Sequence, residues 1–236
     1  MFYYDYTYVL FMLPCIIISL ICQVRVKTAF SKFSKIPNSR GMTGAQAAEY
    51  VLRQNNVTGV RIEHVAGNLT DHYDPRSNVI RLSDSVYASA SVAAVGVAAH
   101  EAGHAVQTAM NYVPNKLRGA ILPVARLGSS LSWILIILGF LFGYGSSSSS
   151  SIGLYLLYAG IILFSASVLF TVITLPVEFD ASRRALKCFR DTNLLQGEEY
   201  KGAKSVLSAA AMTYVAAALT AIMQLLRLLL IARRRN

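Results

Sequence analysis

Charged side chains are scarce in this sequence, at 14% of its residues, and only 12 residues are acidic against 22 Lys and Arg. Soluble domains typically carry about 25% charged residues. Hydrophobic residues instead form 54% of the 236-residue chain, which is more apolar sequence than one soluble domain of this length usually buries. The shortage of charge therefore excludes an ordinary soluble protein and predicts an integral membrane protein.

Cysteine is also rare, with three residues in the whole chain. Cys15 and Cys22 lie in the first apolar stretch and Cys188 lies in a basic segment, so their spacing matches neither a metal-binding Cys pair nor a disulfide framework. We expect them to pack as small apolar side chains. The cysteine content thus excludes a disulfide-stapled fold.

Long apolar runs predict the membrane segments. Residues 8–24, 119–142 and 152–175 are each long enough to cross about 30 Å of hydrocarbon, and residues 205–231 form a fourth, more polar run. Arg25 and Lys27 follow the first run without a small-residue cleavage site, which indicates an uncleaved anchor. We expect a mainly α fold, a polytopic membrane helical bundle.

The net charge of +10 is not accompanied by an aromatic-rich basic module, so we expect no nucleic-acid partner. We instead attribute most of this charge to membrane topology. Eleven Lys and Arg lie between Arg25 and Arg118 and six between Arg183 and Lys204, so both stretches should face the cytoplasm. The serine-rich loop 143–151 should be extracytoplasmic. The predicted divisions are a membrane anchor (1–24), a cytoplasmic α+β region (25–118), a transmembrane hairpin (119–175), a cytoplasmic segment (176–204) and a C-terminal membrane-associated helix with a basic tail (205–236).

Two membrane topologies are compatible with the last division, residues 205–236. A full crossing by residues 205–231 would place Arg233 to Arg235 outside, against the charge rule, so a re-entrant or interfacial segment is an alternative. Four polar residues share one helical face there, which predicts that this face points into a bundle; they are Thr213, Thr220, Gln224 and Arg227. Tyr214, on the same segment, is a weak candidate for the functional site.

Residues 25–118 combine helix and strand patterns. Thr43 and Gln46 form a capping-box pattern that opens a short helix ending near Gln54. Residues 60–65 and 79–82 predict strands, and the second strand could pair with an extended substrate. Ser83 or Asp84 is expected to cap a helix that runs to about Met110.

That helix carries the pattern HExxH, from His100 to His104. Residues at i and i+4 share one helical face about 6 Å apart along the axis, so their two imidazoles can converge on one Zn²⁺ ion. Glu101 points to a neighbouring sector, from which it can act as a general base on the water without being a ligand. An ordinary helix with solvated His and Glu is the alternative.

A third ligand must return to the same membrane face. The predicted hairpin brings the residues after Leu175 back to that face, so Glu178 is our third ligand; an interfacial carboxylate near Arg183 or Arg184 is the alternative. Pro176 should break the helix or open a new one at the interface. Asp180 should point away from Glu178, as a cap, a salt-bridge partner or a support for a ligand.

Two further residues are weaker candidates. His72 and Tyr73, beside a predicted turn, could bind a developing oxyanion, although packed or solvated side chains are the simpler interpretation of both.

HExxH, a Glu within the segment from Leu175 to Ser182, and the spans between them resemble the YugP-type neutral zinc metallopeptidase family, as does the stretch from Asp71 to Ser83. The resemblance covers nearly the whole chain. It implies a zincin-like catalytic portion at the membrane, with His100, His104 and Glu178 as zinc ligands and Glu101 as base. HtpX-like and CaaX prenyl proteases, more distantly similar, have an Asp four residues after the ligand Glu, where this chain has Ser182.

The function predicted is a multi-pass zinc endopeptidase acting on peptide or protein substrates, membrane proteins among the candidates, with its site on the cytoplasmic face. A zinc-stabilised membrane scaffold and an anionic-lipid adaptor are the alternatives. Glu101 distinguishes the first two, since a structural zinc site is normally closed by a fourth protein ligand whereas catalysis needs an open position and a base.

Overall fold

A computed structural model describes residues 6–144 and 151–233. It confirms a mainly helical protein with a small sheet. The elements in chain order are α1 (Tyr6–Phe33), α2 (Gly44–Gln54), β1 (Arg61–Val65), β2 (His72–Asp74), β3 (Val79–Ser83), α3 (Val92–Ala109), α4 (Val113–Tyr144), α5 (Ser151–Asp191) and α6 (Gly197–Arg233). Most of the predicted serine-rich loop, residues 145–150, and Arg234 and Arg235 lie outside the described residues.

Four of the described helices, α1, α4, α5 and α6, are long and apolar enough to cross a membrane. The three clear spans predicted from the sequence are thus confirmed as helices. The fourth run is part of one continuous 37-residue helix, about 55 Å long at 1.5 Å per residue. Its length is sufficient for a full crossing.

The chain divides into two compact units. The first, which we call the membrane unit, comprises residues 1–20, 117–175 and 214–236, and it contains most of the apolar helix sequence. The second, which we call the polar unit, comprises residues 21–116 and 176–213.

Within the membrane unit, α4 and α5 pack closely through small residues. A Cβ atom on Gly139 would lie 2.7 Å from the backbone nitrogen of Leu157, and one on Gly160 would lie 2.9 Å from the carbonyl oxygen of Ser132. Only glycine permits contacts this short, and they allow the two helix backbones to approach closely. In a bilayer the hydrophobic effect does not drive helices together, so close van der Waals packing of this kind stabilises their association. Ile136, Leu157 and Leu228 are buried in the core of this unit.

The polar face of α6 points inward in the same unit. Gln224 is buried, and the guanidinium of Arg227 lies 5.0 Å from the centre of the Tyr8 ring on α1. A polar group at membrane depth is stabilised by protein neighbours rather than by lipid. This arrangement agrees with the predicted bundle-facing orientation.

In the polar unit, the predicted capping box is confirmed. The Thr43 side chain accepts from the Gln46 backbone, and the Gln46 side chain accepts from the Thr43 backbone, which satisfies two amide groups at the start of α2. The buried face of α2 packs against α3 and β1, with Ala47 and Val51 fully inaccessible to solvent.

The sheet has the order β1-β3-β2, with β1 parallel and β2 antiparallel to β3. Both predicted strands are present, but β2 was missed because its three residues are too few to show a periodic pattern. The expectation that β3 offers an edge for a substrate strand is wrong, since β3 is central and pairs with a neighbour on each side. Its residues Val79, Ile80 and Leu82 are fully buried.

The start of α3 also differs from the prediction. The cap is Ser91, whose hydroxyl accepts from the backbone N–H of Ala94, and neither Ser83 nor Asp84 caps this helix. Ser83 ends β3 and bonds to Asp71, while Asp84 accepts from the Gly67 backbone and contacts His64. Both polar side chains are therefore used by the sheet and its turns.

Pro176 does not interrupt helix α5. Helix α5 runs without interruption from the apolar run through Pro176 to Asp191, so the expected helix start at this residue is wrong. A helical proline removes one backbone hydrogen bond, but its fixed φ is compatible with a helix. The fully buried Val177, Ala181 and Ala185 form an apolar stripe beyond it, whose packing favours a continued helix.

Candidate metal site

Helix α3 presents His100 and His104 on one face, as their spacing predicts. The two rings lie one helical turn apart, with centroids 4.7 Å from each other and planes at 83°. Their side chains are only 14% and 12% exposed. Both Nε2 atoms face the same point outside the helix, where a third residue approaches.

That residue is Glu178 on α5. Its Oε2 atom lies 3.3 Å from Nε2 of His100 and 3.5 Å from Nε2 of His104, and its side chain is 3% exposed. The three candidate ligand atoms all lie within 4.8 Å of one another. Residues distant in sequence thus form one compact donor cluster.

The approach of α5 to α3 depends on Gly103, which lies between the two histidines. A Cβ atom at this position would lie 2.7 Å from the carbonyl oxygen and 3.2 Å from the Cα atom of Ala181. Real Cβ atoms do not come so close to a backbone oxygen, so only glycine permits this helix spacing. The cost of glycine in a helix interior, about 1 kcal/mol relative to Ala, is offset by the packing it allows.

The geometry of the cluster fits a zinc ion. Tetrahedral zinc with ligands about 2.0 to 2.1 Å away separates neighbouring ligand atoms by about 3.3 Å. The two measured separations between imidazole nitrogen and carboxylate oxygen, 3.3 and 3.5 Å, are close to this value. Two imidazoles and one carboxylate are also a donor set that zinc hydrolases use, with a fourth position left open.

The Glu178 carboxylate also interacts with both imidazoles as an acid–base partner. Burial lowers the pKa of His104, but a hydrogen bond to the Glu178 carboxylate and the charges of Glu101 and Glu178 raise it more, so the net pKa is above the ordinary value. Because histidine binds a metal in its neutral form, protons compete with a metal for this ring. Glu101, which directly follows His100 on α3, is half-buried and is not one of the three grouped donors.

Ser182 contacts the opposite side of His100. Its hydroxyl oxygen lies 3.0 Å from Nδ1 of that ring. Ser182 stands four residues after Glu178 on α5, so one turn of this helix brings a hydroxyl beside the His100 imidazole. The partner of this histidine is therefore Ser182.

Asp180, two residues after Glu178 on α5, makes two contacts. Its Oδ2 atom accepts from Nε of Arg184 at 2.6 Å and from Nε2 of Gln107 at 2.9 Å. Gln107 in turn lies 3.1 Å from Nδ1 of His104. Sequence reasoning missed Gln107, because a glutamine three residues after a histidine has no special meaning until α5 is placed beside it.

The weaker candidates are not among the three grouped donors. On β2, Nδ1 of the exposed His72 lies 2.8 Å from the carbonyl oxygen of Thr70, and the Tyr73 hydroxyl donates to Asn78. A hydrogen bond with Thr108, one turn after His104, also affects Tyr73, whose pKa is raised chiefly by burial. Tyr214 belongs to the membrane unit, whereas the cluster belongs to the polar unit. Roles for these three residues remain predictions.

Comparison with known proteins assigns the chain to one family. A family model described as "Putative neutral zinc metallopeptidase" matches residues 8–233. A protein of Bacillus subtilis (strain 168), named "Putative membrane protease YugP", is 46% identical over 209 residues, which cover 89% of each chain. No solved structure matches the chain. These findings confirm the resemblance drawn from the motifs, and they identify zinc as the metal to expect.

The Gly103 contact gives a testable prediction. Gly103→Ala should lower the thermal stability of the detergent-solubilised protein and weaken its zinc retention, because the added methyl group forces α3 and α5 apart. Overpacking of this kind costs about 1 to 3 kcal/mol, more than the helix propensity gained. Gly119→Ala is the matched control, since a Cβ atom there meets nothing within 4 Å. Equal melting temperatures and zinc contents for both variants would contradict this account.

Proposed function

Because this chain belongs to the neutral zinc metallopeptidase family, we propose that it is a membrane-embedded, zinc-dependent endopeptidase that hydrolyses peptide bonds with Glu101 as general base. His100, His104 and Glu178 hold the metal in this proposal. The observation that carries it is the spacing of 3.3 and 3.5 Å between the Glu178 oxygen and the two Nε2 atoms, which suits tetrahedral zinc.

The bound zinc would supply a Lewis acid that polarises the substrate carbonyl and makes water acidic enough to react near neutral pH. The protein side chains divide the remaining work. Glu101 takes the proton from the attacking water and later delivers it to the leaving amine. His72 and Tyr73 on β2 are the weaker candidates for oxyanion contacts, and Tyr214 stays a weak site candidate.

A zinc-stabilised scaffold is the second candidate. A structural zinc site usually has four protein ligands, whereas a catalytic one leaves a position for water. Among the described residues, the cluster groups three candidate ligands, and Glu101 is not one of them. Three grouped donors, with Glu101 next to His100 in the sequence, favour the catalytic interpretation.

The polar unit is, in our proposal, a zincin-like catalytic portion at the cytoplasmic face, with the predicted divisions 25–118 and 176–204 as its parts. It contains nearly all the Lys and Arg counted in the two basic stretches, and basic loops are retained on the cytoplasmic side. The substrate is a peptide or protein chain, with membrane proteins among the candidates.

Substitution of the base tests the function directly. Glu101→Gln should retain zinc but lower peptide cleavage in detergent by about 10² to 10⁴-fold, because the amide cannot accept the proton of the water. Zinc content and cleavage are measured on the same sample. Glu49→Gln, which changes an exposed glutamate of α2, should keep full activity. Unchanged cleavage by Glu101→Gln would remove this residue as the base.

The third ligand is tested by metal content. Glu178→Ala should lower the zinc-to-protein ratio and raise the rate at which a chelator removes the metal, since only two protein ligands remain. Glu198→Ala removes a fully exposed carboxylate and should leave both quantities unchanged. Full zinc stoichiometry and unaltered chelator resistance after Glu178→Ala would eliminate Glu178 as a ligand.

Topology is tested with single cysteines. The three native cysteines are buried, so an introduced thiol can be labelled over a low background. A membrane-impermeant maleimide should label Arg76→Cys, in the exposed turn before β3, only after cells are permeabilised. It should label Ser148→Cys, in the serine-rich segment, on intact cells. The opposite pattern would place the polar unit outside the cell.

A further inference from the structure

The two histidines of the cluster use their second ring nitrogens differently. Nδ1 of His100 faces the hydroxyl of Ser182 at 3.0 Å, whereas Nδ1 of His104 faces the side-chain oxygen of Gln107 at 3.1 Å. A hydroxyl can rotate and either donate or accept, but an amide has separate donor and acceptor ends. The partner of His104 therefore restricts its ring more strictly than the partner of His100 does.

The orientation of the Gln107 amide is determined by its other contacts. Gln107 is fully buried, and its Nε2 atom lies 2.8 Å from the carbonyl oxygen of Val177 and 2.9 Å from Oδ2 of Asp180. A carbonyl and a carboxylate only accept hydrogen bonds, so the NH₂ end of the amide must face both of them. The oxygen end must then face His104.

The proton of the His104 ring follows from this orientation. Because the amide oxygen can only accept, Nδ1 of His104 must carry a hydrogen and donate it. Whenever the ring is neutral, the lone pair is then on Nε2, the atom that faces Glu178. The other tautomer would place two acceptors 3.1 Å apart in a buried site, which is unfavourable.

The amide is anchored by an ion pair behind it. Asp180, 8% exposed, receives the Nε hydrogen of Arg184 at 2.6 Å, and the Arg184 guanidinium lies 5.7 Å from the centre of the Tyr112 ring. Asp180 and Arg184 are one turn apart on α5, whereas Gln107 and His104 are on α3. The four side chains form a continuous chain from the surface of the polar unit to the candidate metal site.

We propose that Gln107, oriented by Asp180 and the Val177 carbonyl, is a positioning residue that fixes the ring and the metal-binding tautomer of His104. This inference rests on the proposed function, in which His104 is a zinc ligand. Ligand histidines in zinc proteins commonly donate their other N–H to a partner, and loss of that partner typically costs about 10 to 100-fold in metal affinity or activity. Here the partner is an amide that cannot reverse its polarity.

The test compares Gln107→Leu with the wild type by chelator competition for zinc and by the visible absorption spectrum of the cobalt-substituted protein. Leucine is similar in size to glutamine and fills the buried position, but it has no group that can accept a hydrogen bond from His104. We expect zinc affinity to fall about 10 to 100-fold and the cobalt bands to change, because His104 can then rotate or bind through the wrong nitrogen. The cobalt spectrum reports ligand geometry, which a purely structural role of Gln107 would not alter.

Two Asp180 variants keep the test informative if Gln107→Leu does not fold. Asp180→Ala removes one anchor of the amide and should also change the cobalt spectrum. Asp180→Asn retains an oxygen that can accept from Gln107 and Arg184, so it should restore affinity and spectrum close to those of the wild type. Gln224→Leu makes the same glutamine substitution at a buried position of the membrane unit and should leave both readouts unchanged.

Distinct outcomes separate this inference from the proposed function. A folded Gln107→Leu protein with wild-type zinc affinity and cobalt spectrum would overturn the positioning role, as would a variant that lost only thermal stability. Wild-type protein that binds no zinc, or that binds it without cleaving peptides, would instead defeat the proposed function.

Discussion

The contact between α3 and α5 at Gly103 is the constraint on which the candidate site depends. The absence of one Cβ atom lets the backbone of Ala181 approach the segment between the two histidines. This spacing places the Glu178 carboxylate 3.3 and 3.5 Å from the imidazole nitrogens. Bonds to a metal tolerate errors of only a few tenths of an ångström, so the site requires a helix contact that cannot slide or open.

The same contact explains how buried polar groups are tolerated around the cluster. Two helices this close bring Gln107 to Val177 and Asp180, and His100 to Ser182, so polar side chains from both helices satisfy one another. An unpaired buried polar group costs roughly 1 to 3 kcal/mol, and a charged group costs more. The polar network and the apolar stripe of α5, Val177, Ala181 and Ala185, thus stabilise one helix arrangement together.

The third candidate ligand lies within one long helix. Helix α5 contains an apolar run and, beyond Pro176, the candidate ligand Glu178 within the same uninterrupted helix. No loop precedes the ligand, so the backbone on both sides of Glu178 keeps helical geometry. A flexible connector at this point would place the carboxylate less precisely and at a larger cost in conformational entropy.

The sequence by itself determined the class of protein, the long apolar helices, the capping box of α2, the family and the pairing of His100 with His104, because composition and helical periodicity are local properties. Glu178 could be predicted as the third ligand only by assuming that residues 119–175 form a transmembrane hairpin. The tertiary structure alone decided that α5 continues through Pro176, that β3 is central, and that Gln107, Ser182 and Asp180 surround the cluster. Those facts arise from contacts between separate elements, the strands of the sheet and the helices α3 and α5. No periodic pattern in one element specifies which side chains of another will meet it.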